Sequence, residues 1–118
     1  MTKKQKLRNK ADRVFQNYIK GKYKTCFVCG RRPIVGHHFI QKSNSSALRY
    51  CEENIISLCV NCHCLIHSQP ALITAKIVLK KGKDWFKKLE QQKRKQVKTS
   101  LTFYQEVIKR YDKEDVSK

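Results

Sequence analysis

The sequence predicts a small α+β fold in one compact domain, a cysteine-tied centre flanked by basic helices. Three observations predict it. Two Cys-x2-Cys pairs, Cys26–Cys29 and Cys59–Cys62, bracket the middle of a 118-residue chain. Apolar residues recur at helical intervals before the first pair and give way to strand-type residues around it. The net charge of +18 is concentrated on either side of that centre.

Taken in order, Leu7, Ala11, Val14, Phe15, Tyr18 and Ile19 form the apolar face of a helix predicted to end at Gly21. From Tyr23 to Ile40, β-type residues are interrupted by Gly30, Pro33 and Gly36, which predicts a short hairpin within this stretch. Ser43 to Ser46 offers a cap for a brief helical turn over Ala47–Tyr50. Ile55, Ile56 and Leu58 lead into the second cysteine pair, and Val60–His67 reads as helical. Pro70 suits the first turn of a helix stopped by Gly82. Asp84 is expected to cap the next helix, to about Gln92, and Ser100 the last, to about Tyr111. The expected segments are a basic N-terminal helix over 1–22, a central core over 23–69 and a basic helical extension over 70–118.

Composition narrows the function classes. A chain of this size buries a modest core, and a structural metal is a common supplement. No run of about 18 apolar residues exists to span a membrane, and no apolar stretch follows the charged start to make a signal peptide. A cytoplasmic, reducing setting is the expectation, and there six cysteines point to metal, not disulfides. Residues 1–24 carry nine Lys/Arg against one acid, residues 76–98 ten against two, and residues 25–75 four against two. Two basic flanks around a near-neutral centre suit a nucleic-acid cleft. Solvated helix faces or a membrane-surface helix are the alternatives.

Each Cys-x2-Cys pair places two thiolates on one tight turn, and Cys26, Cys29, Cys59 and Cys62 together make a tetrahedral zinc site. The 29 residues between the pairs exceed the simple ribbon spacing, so further structure is inserted. A finger using Cys26, Cys29, His63 and His67 would strand Cys59 and Cys62 and leave too long a gap. Cys51 and Cys64 read as small buried hydrophobes without a role.

All four histidines lie within or directly after this framework. His63 and His67, at i and i+4, share one helix face with imidazoles about 6 Å apart, a bidentate metal clamp. His37 and His38 would point to opposite sides of a strand, and both reach one site only at an irregular turn, which Gly36 would permit.

Cys26-x2-Cys29, Gly36-His37-His38-Phe39-Ile40 and Asn54-x4-Cys59-x2-Cys62-His63-x3-His67 together resemble the HNH, or ββα-metal, nuclease motif. Ala47-Leu-Arg-Tyr, Glu53-Asn54-Ile55, Ile77 to Gly82 and Leu101 to Tyr111 extend the likeness to the phage NinG (Rap) recombination nucleases. The resemblance implies a small ββα-metal core and metal-dependent hydrolysis of DNA phosphodiester bonds, on branched recombination intermediates. It makes His38 the general base, His37, His63 and His67 ligands of a catalytic ion, and Asn54 the residue fixing the loop that carries the base. The residues alone divide no roles between His37 and His38, and three imidazoles suit Zn²⁺, Ni²⁺ or Mn²⁺ as well as Mg²⁺. Mg²⁺ or Mn²⁺ is implied by the family.

The expected cofactors are thus a structural Zn²⁺ and a catalytic Mg²⁺ or Mn²⁺. The expected partner is branched or duplex DNA, with no membrane and with a homodimer allowed. Lys42, Arg49, Lys87, Lys88, Lys93, Arg94 and Lys95 are the expected DNA-binding residues. Two other readings stand beside this one. A homing, restriction-like or packaging HNH enzyme would share the site. A non-catalytic zinc module that binds DNA would need neither His38, Asn54 nor the paired histidines.

Overall fold

A computed structural model of the chain describes residues 1–112, so the end of the expected 70–118 extension lies outside the described residues. Helix α1 (Lys3–Lys22) opens with a capping box, in which Thr2 accepts from the Gln5 amide and the Gln5 side chain returns to the Thr2 amide. It runs one residue beyond the expected stop at Gly21. Ala11, Phe15 and Ile19 recur at four-residue spacing and are buried. Helix α6 (Leu101–Tyr111), capped by Ser100, supplies Tyr104 and Val107 to the same cluster, with the Phe15 and Tyr111 rings edge-on at 4.8 Å. Helices α1 and α6 are thereby joined across the fold. Each fully buried side chain of this kind contributes about 1.5–3 kcal/mol relative to exposure.

The hairpin expected within residues 23–40 does not form. Cys26 to Gly30 makes a tight turn instead, with Gly30 at φ 79° donating to the Cys26 carbonyl. One strand follows, β1 (Ile34–His38), and its antiparallel partner is β2 (Ile55–Cys59). Local β-propensity marked the strand correctly, but the pairing is non-local: Ile34 faces Cys59 and His38 faces Ile55. Between the strands lie α2 (Ser46–Arg49), capped by Ser45, and a 3-10 turn (Glu52–Asn54). After β2 come α3 (Val60–Ser68), α4 (Pro70–Lys81) and α5 (Lys83–Lys93). Gly82, at φ 95°, ends α4 and occupies the N-cap of α5; Asp84 sits inside the first turn and makes no side-chain cap. The architecture is α+β with a two-stranded sheet. No helix among the described residues is long and apolar enough to cross a membrane.

Strand β2 is buried along its whole length because it divides two cores. Ile55 points into the α1–α6 cluster, whereas Ile56 and Leu58 join Ile66, Ile73 and Ile77 of α3 and α4. Paired residues of an antiparallel sheet share a face. Gly36 and His38 therefore turn toward α1, and His37 turns toward α3.

Gly36 remains in the strand with ordinary φ, so its part is close approach and not an irregular turn. A Cβ there would lie 2.9 Å from both Gln16 Oε1 and Ile19 Cγ2 and 3.0 Å from Ile55 Cγ2. Gln16 uses that space to accept from the Gly36 amide at 2.6 Å and donate to its carbonyl at 3.1 Å. Gly36→Ala is accordingly expected to lower the unfolding free energy by about 1–3 kcal/mol. Denaturant titration measures this, and an unchanged midpoint would be inconsistent with so close a helix–strand approach.

Candidate active site and metal centres

The four Sγ atoms of Cys26, Cys29, Cys59 and Cys62 all lie within 4.8 Å of one another. Two elements bring them there, the turn before β1 and the junction of β2 with α3. Cys59 ends β2 and caps α3, its sulfur accepting from the Cys62 amide at 3.5 Å. Burial would raise the Cys26 thiol, but amides of Cys59, Cys29 and Val28 outweigh it and hold the group at about 6. Burial pushes Cys62 up, and the three neighbouring sulfurs push it further. Four soft donors whose thiolates repel one another fit a cation such as Zn²⁺. The cysteines could hold a structural metal of that kind.

The other two cysteines depart from expectation. Cys64 is exposed, and Cys51 is half-buried, its thiol 3.3 Å from the Glu53 carboxylate and 3.3 Å from the Gln92 amide oxygen. Neither is a buried hydrophobe.

A second cluster joins β1 to α3. One nitrogen from each of His37, His63 and His67 lies within 4.8 Å of the others, and the Nε2 atoms of His63 and His67 are 3.3 Å apart. The one-turn spacing on α3 aligns that pair, and the strand register turns His37 to meet them, with ring centroids at 5.3 and 5.8 Å. Burial, with the neighbouring imidazoles, drives His37 down to about 4, so it is neutral at physiological pH, the form that binds metal. His67 is exposed, which leaves the cluster open on one side.

His38 does not join this cluster, because the strand stays regular through both histidines and the two point to opposite faces. Its ring stands 6.4 Å from Phe15, and its Nε2 lies 2.9 Å from the Arg49 carbonyl oxygen. A carbonyl only accepts, so Nε2 carries the proton and Nδ1 keeps the lone pair. Burial lowers the His38 pKa, partly offset by that carbonyl.

Asn54 is fully buried behind this face. Its side-chain oxygen accepts from the Ile40 amide at 2.8 Å, and its amide donates to the carbonyls of Ile40 and Leu48 at 2.9 and 3.3 Å. Both ends of the loop from Ile40 to Leu48 are held by this one side chain.

The expected DNA-binding residues divide in two. Lys42, Lys87, Lys88, Lys93, Arg94 and Lys95 are exposed. Arg49 is turned inward, its side chain 17% exposed and its guanidinium bonded to Asp12 at 2.9 and 2.6 Å, so it is not a free phosphate donor. Asp12, Gln16 and Tyr50 were not expected at the site at all. One signal could have marked Asp12: it is the single acid among the nine basic residues of positions 1–24.

The family model described as Bacteriophage Lambda NinG protein matches residues 1–117. No curated protein matches the chain, and no solved structure does.

Proposed function

The chain belongs to the bacteriophage lambda NinG protein family, and from that premise we propose that it is a metal-dependent endonuclease that hydrolyses DNA phosphodiester bonds in branched recombination intermediates. The observation that carries the reading is the open His37–His63–His67 cluster, next in sequence to a second, half-buried imidazole whose proton is fixed on Nε2. A structural metal module has no use for that pair of arrangements.

In this reading His38 takes a proton from water at Nδ1, and its neutral form is favoured by burial. The water oxygen bonds to phosphorus, the bond from phosphorus to the 3′ oxygen breaks, that oxygen takes a proton from solvent water, and His38 returns its own proton to solvent. His37, His63 and His67 would hold Mg²⁺ or Mn²⁺; when bound, such an ion neutralises charge developing on the phosphate and eases departure of the 3′ oxygen. Asn54 keeps the loop from Ile40 to Leu48 in place. The cysteine cluster would hold Zn²⁺ and fix the start of α3, hence His63, relative to β1.

The experiment is cleavage of linear duplex, single-stranded and four-way-junction DNA side by side with Mg²⁺, with Mn²⁺ or with chelator. Metal-dependent cutting with preference for the junction is expected. Binding without cutting under every condition would leave the zinc DNA-binding module, and cutting at a defined base sequence would favour a homing or restriction-like enzyme.

DNA is expected to be held by the basic flanks. Lys93, Arg94 and Lys95 are exposed at the end of α5, and side chains that bind phosphates position a protein without reading sequence. Reversing these three charges should weaken binding to all sequences alike. The slope of log K against log salt should fall by about 0.9 for each phosphate that the variant no longer neutralises. Salt-titrated binding measures it, and an unchanged slope would remove this cluster from the interface.

A further inference from the structure

His38 hangs from the carbonyl of Arg49, and that carbonyl belongs to a weak element. Helix α2 is one turn long, too short to persist by its own hydrogen bonds, and its last carbonyls have no partners within the helix. Asn54 takes the Leu48 carbonyl and His38 takes the Arg49 carbonyl. The position of the Arg49 backbone must be set from outside.

Asp12 sets it. The Arg49 guanidinium donates to both Asp12 oxygens, Nε to Oδ1 at 2.9 Å and Nη2 to Oδ2 at 2.6 Å. The Tyr50 hydroxyl donates to Oδ1 at 2.8 Å, and Lys42 Nζ lies 3.9 Å from Oδ2. A two-pronged pair fixes orientation as well as distance. Burial alone would raise the Asp12 carboxyl, but the hydrogen bonds from Arg49 and Tyr50 outweigh it and keep the group below the usual carboxylate range. Asp12 sits on the face of α1 that covers β1, with Phe15 against the His38 ring and Gln16 bonded to Gly36. The helix that supplies the clamp is thus the one that packs on the base.

We propose that Asp12 is a positioning residue for His38: by tying Arg49 and Tyr50 to α1 it holds the carbonyl that keeps the proton on Nε2 and Nδ1 free to act. The proposal rests on the reading of His38 as the general base.

The test joins turnover to a direct view of the ring in the zinc-loaded full chain. Asp12→Asn keeps the shape and removes the charge. It is expected to lower kcat by about 10–100-fold, the range seen when the partner that orients a metal-ligating histidine is lost and applied here to the base, with the DNA Kd within about twofold. Long-range proton–nitrogen NMR should show His38 moving from the Nε2–H form toward a mixture of tautomers. Arg49→Lys keeps the charge and the carbonyl but loses the fork. It should lose part of the same activity and serves if Asp12→Asn does not fold. Asp12→Glu, which can regain the pair, should restore a measurable share of kcat.

An unchanged His38 tautomer in both Asp12→Asn and Arg49→Lys overturns the proposal, whatever happens to turnover. So does a loss seen only as weaker DNA binding. If the parent chain cuts no DNA, it is the nuclease reading that fails, and the tautomer measurement still decides the clamp.

Discussion

Replacing His38 by alanine is expected to reduce DNA cleavage by about 10²–10⁴-fold while zinc content and DNA affinity persist. The expectation follows from where the side chain lies. His38 is outside both the cysteine cluster and the three-histidine cluster, so its removal takes no candidate donor from either. It touches Phe15 and the Arg49 carbonyl, so truncation disturbs one ring pairing and one hydrogen bond, not the sheet. His37→Ala provides the contrast. That change removes a candidate ligand, so it should weaken binding of Mn²⁺ measured by calorimetry, whereas His38→Ala should not. Near-full turnover in His38→Ala would remove the residue from the chemistry. A loss of Mn²⁺ affinity in His38→Ala, with none in His37→Ala, would exchange their roles.

The second large effect is expected at Cys59. Cys59→Ser should release zinc and unfold the centre of the protein, and chelation of the parent chain should do the same. This sulfur joins three structures at once: it ends β2 opposite Ile34, caps α3 and closes the cysteine cluster. Structural zinc in small domains binds with an apparent free energy of about 10–16 kcal/mol, comparable to the whole stability of about 5–15 kcal/mol of an ordinary domain. The α1–α6 cluster contains no cysteine, yet it shares Ile55 with β2 and cannot keep its floor once that strand is lost. Circular dichroism with bound-zinc analysis checks this. A cooperative, zinc-free variant melting at the parent's midpoint would remove the structural metal from the account.

The parts of this fold readable from the chain alone were those controlled by residues close together in sequence. A Cys-x2-Cys pair is a single turn, so the two pairs announced themselves, and the structure places all four sulfurs in one cluster. His63 and His67 are one helical turn apart, and their nitrogens meet because the helix forms, whatever surrounds it. Ser100, Pro70 and Gly82 act on their own neighbours, and the helix ends they marked are where they were expected.

Tertiary structure decided the rest. The hairpin expected before Ile40 gave way to a pairing of β1 with β2, since strand-forming residues do not carry the identity of their partner. That register, and not any turn at Gly36, sends His37 to the three-histidine cluster and His38 to α1. Arg49 looked like one more phosphate-binding side chain among 27 basic residues. Only the approach of α1, which the bare Gly36 allows, brings Asp12 within reach of it. Spacing along the chain determined which donors this protein could gather; which face each histidine presents, and what holds it there, depended on packing between segments that sequence proximity does not encode.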